Sequence, residues 1–298
     1  MNISHIKGAG LVRPEYVFRP TQYIRRFSRI NKQPDYASSQ LPWGHEIRYR
    51  PTDTIGEQIW RVGIFELPIC EVLWRLLDEG MNVLDIGANI GQMTSLMAAR
   101  VGVTGSVTCF EPHPQVFEEL SLNVANWNDS PGSAKITPMN MALSNYTGEM
   151  QLYLPEEFDG NHGVGSLEAD VVASEQKISV TVKTSLLDDL LDTLPTINLI
   201  KIDVEGHELK VLEGASRFFE THPATDIIYE DHIAYPSKTA LLLQEKGYTI
   251  LGVDASFTGP NVFRADERPA ESLTRDYIAT RDLSRCMERL SGKAWQVL

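Results

Sequence analysis

The chain has 298 residues, of which 42% are hydrophobic and 22% charged, with 21 glycines and 16 prolines. That length gives one large or two small domains with a substantial core, and the composition excludes collagen-like, coiled-coil and wholly disordered chains. The formal net charge of −13 is unevenly spread: residues 1–50 carry nine Lys and Arg against Glu15, Asp35 and Glu46, and the other 248 residues carry 18 basic and 37 acidic side chains.

An acidic body repels phosphate backbones, so nucleic acid is not expected as a partner. No stretch reaches the 18 or more apolar residues of a membrane span, and MNISHIKGAGLVRPEYVFRP lacks the apolar core of a secretory signal. No membrane partner is expected either. Cys70, Cys109 and Cys286 are odd in number and widely spaced, which reads as buried thiols of a reducing compartment. These features together predict a cytoplasmic protein.

From Thr54 to Glu79 apolar residues recur at helical spacing (Ile59, Val62, Ile64, Leu67, Val72, Leu73, Leu76), interrupted by Pro68. Asn82–Gly87 (NVLDIG) is a short apolar run closed by glycine, the pattern of a buried parallel strand. A helix is predicted over Ile90–Arg100, a second strand over Ser106–Glu111 and a second helix over Pro114–Asn126. Lys135–Leu143 is a third apolar run. Gln151–Leu154 and Ile178–Val182 alternate as an added strand pair. Asn198–Asp203 is a fourth core strand, with a helix over Glu208–Phe219. Asp226–Glu230, a helix over Ser237–Lys246 and a strand over Tyr248–Val253 complete the series. Strand alternating with helix predicts βαβ units in a doubly wound α/β domain from about residue 55.

The strongest signal is Asp85-Ile-Gly87-Ala-Asn89-Ile-Gly91, between the first strand and the first following helix. No lysine follows Gly91, which excludes a phosphate-binding GxxxxGK[ST] loop, and DxGxxxG is not the dinucleotide GxGxxG. Glu111 follows 20 residues after Gly91 and ends the second strand, where a carboxylate can accept two ribose hydroxyls. This pairing favours S-adenosylmethionine over a nicotinamide cofactor or a plain tight turn.

VLDIGANIG, CFEPHP, NMALSNYTGEMQLY and LIKIDVEGHELKVLEGA together resemble the FkbM-type S-adenosylmethionine-dependent methyltransferases, over about Ile55 to Tyr229. The resemblance implies a class I methyltransferase fold: a Rossmann-like, mostly parallel seven-stranded sheet with helices on both faces. The charge and element pattern divides the chain into a basic extension, residues 1–50, and a methyltransferase domain over residues 51–298, of which the stretch after about Asp254 lies outside the recognisable motifs. The resemblance also implies an O-methyltransferase, in a family widespread in natural-product and glycan pathways, acting on a hydroxyl of a small natural product or sugar. Asp85, Gly87, Asn89 and Gly91 fall at the methionine end, Glu111 at the ribose, and Asn140, Met141 and Ala142 beside the adenine. N-methylation, or binding without catalysis, are the alternatives.

Ligands of open α/β sheets lie beyond the carboxyl ends of the strands. Here those ends carry Asp203, Glu205, His207, Glu230, Asp231 and His232. His207 and His232 are candidate general bases, because an ordinary imidazole pKa of about 6.5 leaves them mostly neutral at pH 7. His207 equally reads as a brace of the DVEG turn. Asp203 ends a central strand and needs a partner, either the cofactor ammonium or the acceptor hydroxyl. Glu205 reads as a local cap, and His162 lies on a glycine-rich loop. Asp203, Glu230 and Asp231 permit Mg²⁺, but no metal-ligand spacing supports it, and Val211 excludes HExxH. Phe110, Trp127, Tyr229 and Tyr235 read as pocket lining or core. The basic extension is expected to serve acceptor access or homo-oligomer formation rather than the cofactor site.

Overall fold

A computed structural model of the chain describes residues 34–155, 165–168, 177–223 and 225–298. His162 and most of the basic extension lie outside the described residues. The first described elements, β1 (Ala37–Gln40) and β2 (Glu46–Tyr49), pair antiparallel. Ile47 and Tyr49 are fully buried, and Trp43 Nε1 donates to Ser95 Oγ at 3.0 Å. Trp127 Nε1 donates to Glu46 O at 2.7 Å. The described end of the basic segment, from Trp43 to Tyr49, is therefore tied into the core.

Helix α1 (Thr54–Val62) ends at Gly63, whose φ of 86° only glycine adopts at low cost. Helix α2 (Leu67–Leu76) follows. Pro68 does not break a helix. It lies in the first turn of α2, where its missing N–H has no intrahelical partner to lose. A buried pair within α2 fastens a distant segment: Glu71 is fully buried and accepts from the Gln296 and Val297 amides at 2.9 and 3.0 Å. Arg75 bonds Glu71 at 2.6 Å and donates to the carbonyls of Gly292 and Ala294.

The rest of the chain runs β3 (Asn82–Ile86), α3 (Gln92–Val101), β4 (Ser106–Phe110), α4 (Pro114–Asn128), β5 (Lys135–Met139) and β6 (Ala142–Leu143). Strands β7 (Gly148–Pro155) and β8 (Lys177–Ser185) pair antiparallel, as their alternation predicts, and with β6 form a separate three-stranded sheet. The predicted third run is thus split between two sheets. Then come α5 (Leu187–Leu190), β9 (Leu199–Ile202), α6 (Glu208–Glu213), α7 (Ser216–Thr221), β10 (Asp226–Glu230) and α8 (Lys238–Glu245). Strands β11 (Thr249–Ser256), β12 (Gly259–Arg264) and β13 (Asp276–Thr280) and helix α9 (Leu283–Leu290) end the series. The single helix expected over 208–219 is two, parting at Gly214, whose backbone passes so close to Ser144 O that a Cβ would stand 2.1 Å from it.

The main sheet has the order β12-β11-β13-β10-β9-β3-β4-β5. β5, β4, β3, β9 and β10 are parallel, and β13 is inserted antiparallel between β10 and β11. This is the doubly wound plan, and β12, hairpinned onto β11, extends it from seven strands to eight. One face packs on α2, α3 and α4 through residues such as Leu73, Leu96 and Leu120. The other packs on α6, α7 and α8 through Val211, Phe218 and Leu243. Strand order reverses between β3 and β9, and the crevice at that switch point is where such sheets bind ligands. No helix among the described residues is long and apolar enough to cross a membrane.

Candidate active site

Sheet register brings the site together. Asp85 pairs with Cys109 on β4 and with Lys201 on β9, Lys201 pairs with Ile228 on β10, and Glu230 pairs with Asp276 on β13. Side chains two residues apart share a face. The next row on that face is therefore Glu111, Gly87, Asp203, Glu230 and Asp276, across five adjacent strands. The ladder does run this far: Gly87 N bonds Phe110 O at 3.0 Å, and Asp203 N bonds Ile86 O at 2.9 Å. The row lies on the face covered by α2 and α3.

Its second member has to be glycine. Gly87 has φ 85°, and a Cβ there would stand 1.8 Å from the Asp203 carbonyl oxygen. Gly91 likewise makes room for its own chain, since a Cβ would meet Leu120 at 2.7 Å and Trp127 at 2.8 Å. The expectation that these glycines admit a ligand is thus accompanied by a packing reason for each.

Glu111 is buried at one end of the row. Its Oε2 accepts from Asn89 N at 3.0 Å and its Oε1 from His113 N at 2.8 Å. Burial nevertheless raises its pKa to about 7, against the pull of those two amides. A carboxylate has about four lone-pair positions, so each oxygen keeps one for a hydroxyl. Asn140 Nδ2 donates to Glu111 O at 2.8 Å and to Pro112 O at 3.1 Å, bracing this corner. Met141 is half-buried beside it, whereas Ala142 opens β6, so the third strand ends at Met139 rather than at Ala142.

Beneath the row is an ion group whose cation the sequence reading missed. Asp85 is fully buried. Its Oδ2 accepts from Thr94 Oγ1 at 2.5 Å, and its Oδ1 has no hydrogen bond and faces Lys201 Nζ at 4.0 Å. Lys201 donates to Asp203 Oδ2 at 2.9 Å. Burial works against the Lys201 charge, but Asp203 and Asp85 outweigh it and hold the ammonium protonated. The signal was present: a lysine inside the apolar run LIKI of a central strand has to find a carboxylate.

Glu66 was also missed. It precedes α2 with φ 49°, and the loop is pinned to α3 by Gln92, which accepts from Phe65 N at 2.8 Å and donates to Phe65 O at 2.9 Å. Burial, with Asp203, Asp276 and Glu230 around it, pushes the Glu66 carboxyl well above its usual range. Glu230 is pushed up to about 8 and Asp276 to about 7, each by burial first and by Asp203 next.

His232 Nε2 lies 3.3 Å from Glu205 Oε2, and Arg275 Nη1 lies 3.3 Å from its Nδ1. The Glu205 carboxylate raises the His232 pKa to about 9, so near neutral pH the ring keeps its proton. His207 is elsewhere: it is buried, with Nε2 2.9 Å from Ser144 Oγ and Nδ1 2.8 Å from Glu168 Oε1. Both ring nitrogens thus have partners, Ser144 and Glu168. Asp231 also turns inward, accepting from Ile233 N at 2.9 Å and Ser237 Oγ at 2.5 Å, so it holds the Ser237 cap of α8 rather than joining Asp203 and Glu230. Among the described residues Glu205, Glu230 and His232 bring ligand-type atoms within 4.8 Å of one another. Phe110, Trp127 and Tyr229 are buried in the core, and Tyr235 is half-buried.

Residues 85–250 match the family described as Methyltransferase FkbM domain. The hexuronic acid methyltransferase AglP of Haloferax volcanii is 29% identical over 197 residues, covering 64% of this chain and 74% of that protein. Methyltransferase sdnD of Sordaria araneosa is 30% identical over 157 residues, covering 44% of this chain and 59% of that protein. Methyltransferase 1 of Beauveria bassiana is 30% identical over 149 residues, covering 44% of this chain and 57% of that protein. The chain thus spans less than two thirds of these last two relatives. A crystal structure of methyltransferase FkbM from Methylobacillus flagellatus aligns with a TM-score of 0.43 at 18% identity, over 70% of this chain and 47% of that one. The family match begins at Asp85 and runs through Glu111, Lys201, Asp203 and Glu230, and on it the chain is a methyltransferase of the FkbM family.

Proposed function

We propose that the chain transfers a methyl group from S-adenosylmethionine to a hydroxyl of a sugar or small natural product. The observation that carries this reading is the single row from Glu111 to Asp276, with a ribose-type carboxylate at one end and charged groups at the other. S-Adenosylmethionine, when bound, supplies an electrophilic methyl on a positively charged sulfur. Glu111 would hold the ribose hydroxyls with the lone pairs that Asn89 and His113 leave open. Asn140 and Met141 would border the base, and the loop from Gly87 to Gly91 the methionine end.

The chain must then place an acceptor oxygen in line with the methyl, exclude water and take the hydroxyl proton. Asp203, fixed by Lys201, orients the acceptor. Glu230 takes the proton, because a base with a pKa of about 8 is matched to neutral or slightly alkaline conditions. The protonated His232 and its partner Glu205 stand beside Glu230 as orienting groups. The loop at Phe65 and Glu66, pinned by Gln92, helps to close the crevice.

A sugar acceptor accords with the relative named for a hexuronic acid. An amine acceptor is the second reading, and the carboxylates around Glu230 are what favour it. Incubation of the purified chain with methyl-labelled S-adenosylmethionine and a panel of sugars, macrolides and amines tests both. Label in an alkyl ether bears out the proposal, and label in an amine selects the second reading. Cofactor binding with no turnover across the panel would mark a binding protein and overturn it.

A further inference from the structure

Three carboxylates stand side by side on adjacent strands: Asp203, Glu230 and Asp276. Glu230 and Asp276 are direct cross-strand partners, an arrangement that costs stability when both are ionised. Glu66 reaches the same place from the start of α2. Among the described residues none of Glu66, Glu230 and Asp276 has a side-chain hydrogen bond. Lys201 is the buried cation of the group, and it is already committed to Asp203 at 2.9 Å.

A second, independent observation points the same way. Asp85 is fully buried directly below the row, and its Oδ1 has no hydrogen-bond partner. The nearest positive charge, Lys201 Nζ, is 4.0 Å away and bonded to a different carboxylate. Lys201, the protonated His232 and Arg275 stand against six carboxyls, Glu66, Asp85, Asp203, Glu205, Glu230 and Asp276, so the local arrangement is short of positive charge when these are ionised.

Methyl transfer removes the positive charge from sulfur. The carbon–sulfur bond breaks, the carbon–oxygen bond forms, and sulfur keeps the electron pair to become a neutral thioether. The hydroxyl proton passes to the Glu230 carboxylate, which regains its negative charge on releasing that proton to water. We propose that the carboxylates of Asp203, Glu230 and Asp276 make the site read the charge on sulfur, so that it binds the sulfonium cofactor more tightly than the thioether product. The inference rests on S-adenosylmethionine being the cofactor. Its consequence is that the product leaves readily and does not clog the site.

Calorimetric titration of the full chain at low salt and about pH 8.5, where Glu230 and Asp276 have released their protons, tests this without an acceptor. The probes are S-adenosylmethionine, S-adenosylhomocysteine and sinefungin, which carries an ionisable amine in place of the methylated sulfur. The sulfonium form and sinefungin should bind roughly tenfold more tightly than the thioether, as one unscreened charge interaction requires. The ratio should shrink towards unity in Glu230→Gln and in Asp276→Asn, with thioether affinity held or improved. Both variants relieve repulsion, so both should fold. Equal or tighter binding of the thioether by the unaltered chain overturns the proposal, as does a ratio unmoved in both variants. If none of the three ligands binds the folded chain, the cofactor reading itself fails, a separate and recognisable result.

Discussion

The two ends of the carboxylate row are satisfied in opposite ways. At Glu111 each oxygen receives a backbone amide, and Asn140 locks the neighbouring carbonyls. At Glu230 and Asp276 two carboxyls face each other across paired strands, with no hydrogen bond among the described residues. On the proposed reading, one end receives neutral hydroxyls in a fixed geometry, and the other gathers titratable carboxyls beside the reacting atoms. A binding end gains from fixed dipoles, whereas a reacting end gains from groups whose protonation can change.

The largest effect should come from breaking the ordered end. Glu111→Ala removes the carboxylate that bonds the Asn89 and His113 amides and the acceptor for two hydroxyls, at about 1–3 kcal/mol for each hydroxyl left unsatisfied. S-Adenosylmethionine binding measured by calorimetry should weaken by about a hundredfold or more. Unchanged affinity would detach the ribose role from the second strand.

Breaking the charged end should act on rate instead. Glu230→Gln is expected to lower kcat by about 10²–10⁴-fold, the range for loss of a general base, while S-adenosylmethionine affinity moves far less. His207→Ala offers the contrast. It removes bonds to Ser144 and Glu168, so thermal stability should fall while kcat stays within a few-fold. A collapse of kcat in a folded His207→Ala, with Glu230→Gln active, would exchange their roles.

The pH dependence sharpens the same contrast. Glu230 becomes a base only on losing a proton near pH 8, so kcat/KM should rise from pH 6 to pH 9. Stability should move the other way. Glu111 and Asp276 hold their protons in the folded chain to about pH 7, and Glu230 to about 8, while unfolded carboxyls release theirs near pH 4. The folded state therefore binds more protons, and the melting temperature should fall as pH rises from about 5 to 9. A flat rate profile together with a rising melting temperature would mean that these carboxyls ionise normally.

The smallest expected effect is that of a chelator. Lys201 and the protonated His232 already supply positive charge at the row, so EDTA should leave turnover unchanged. Activity lost to EDTA and restored by Mg²⁺ would make Glu205, Glu230 and His232 metal ligands.

The strand–helix alternation was legible in the sequence because each βαβ unit buries an apolar run with its own period. The Asp85–Gly91 turn, Glu111, Asp203 and Glu230 were legible because polar residues ending apolar strands must face the crevice. Glu66 was not, since it lies before the first core strand in a loop whose position depends on Gln92, 26 residues later in sequence. Asp276 was hidden for a different reason: β13 enters the sheet between two earlier strands, and nothing in its local pattern says which strand it will pair with. The roles of the two histidines were equally hidden. Whether an imidazole braces a turn or faces a carboxylate depends on partners such as Ser144 and Glu168, which only the folded chain brings near.

The buried Glu71–Arg75 pair carries a consequence for the order of folding. Its partners lie more than 200 residues away along the chain, at Gly292, Ala294, Gln296 and Val297. Closing loops of that size is slow, because their entropy is lost before any contact is gained. Until they close, α2 holds two charged side chains against an apolar sheet face without their backbone partners. Docking of this helix, and with it the placement of Glu66 at the crevice, is thus expected to come late in folding, when the segment around Trp295 has come home.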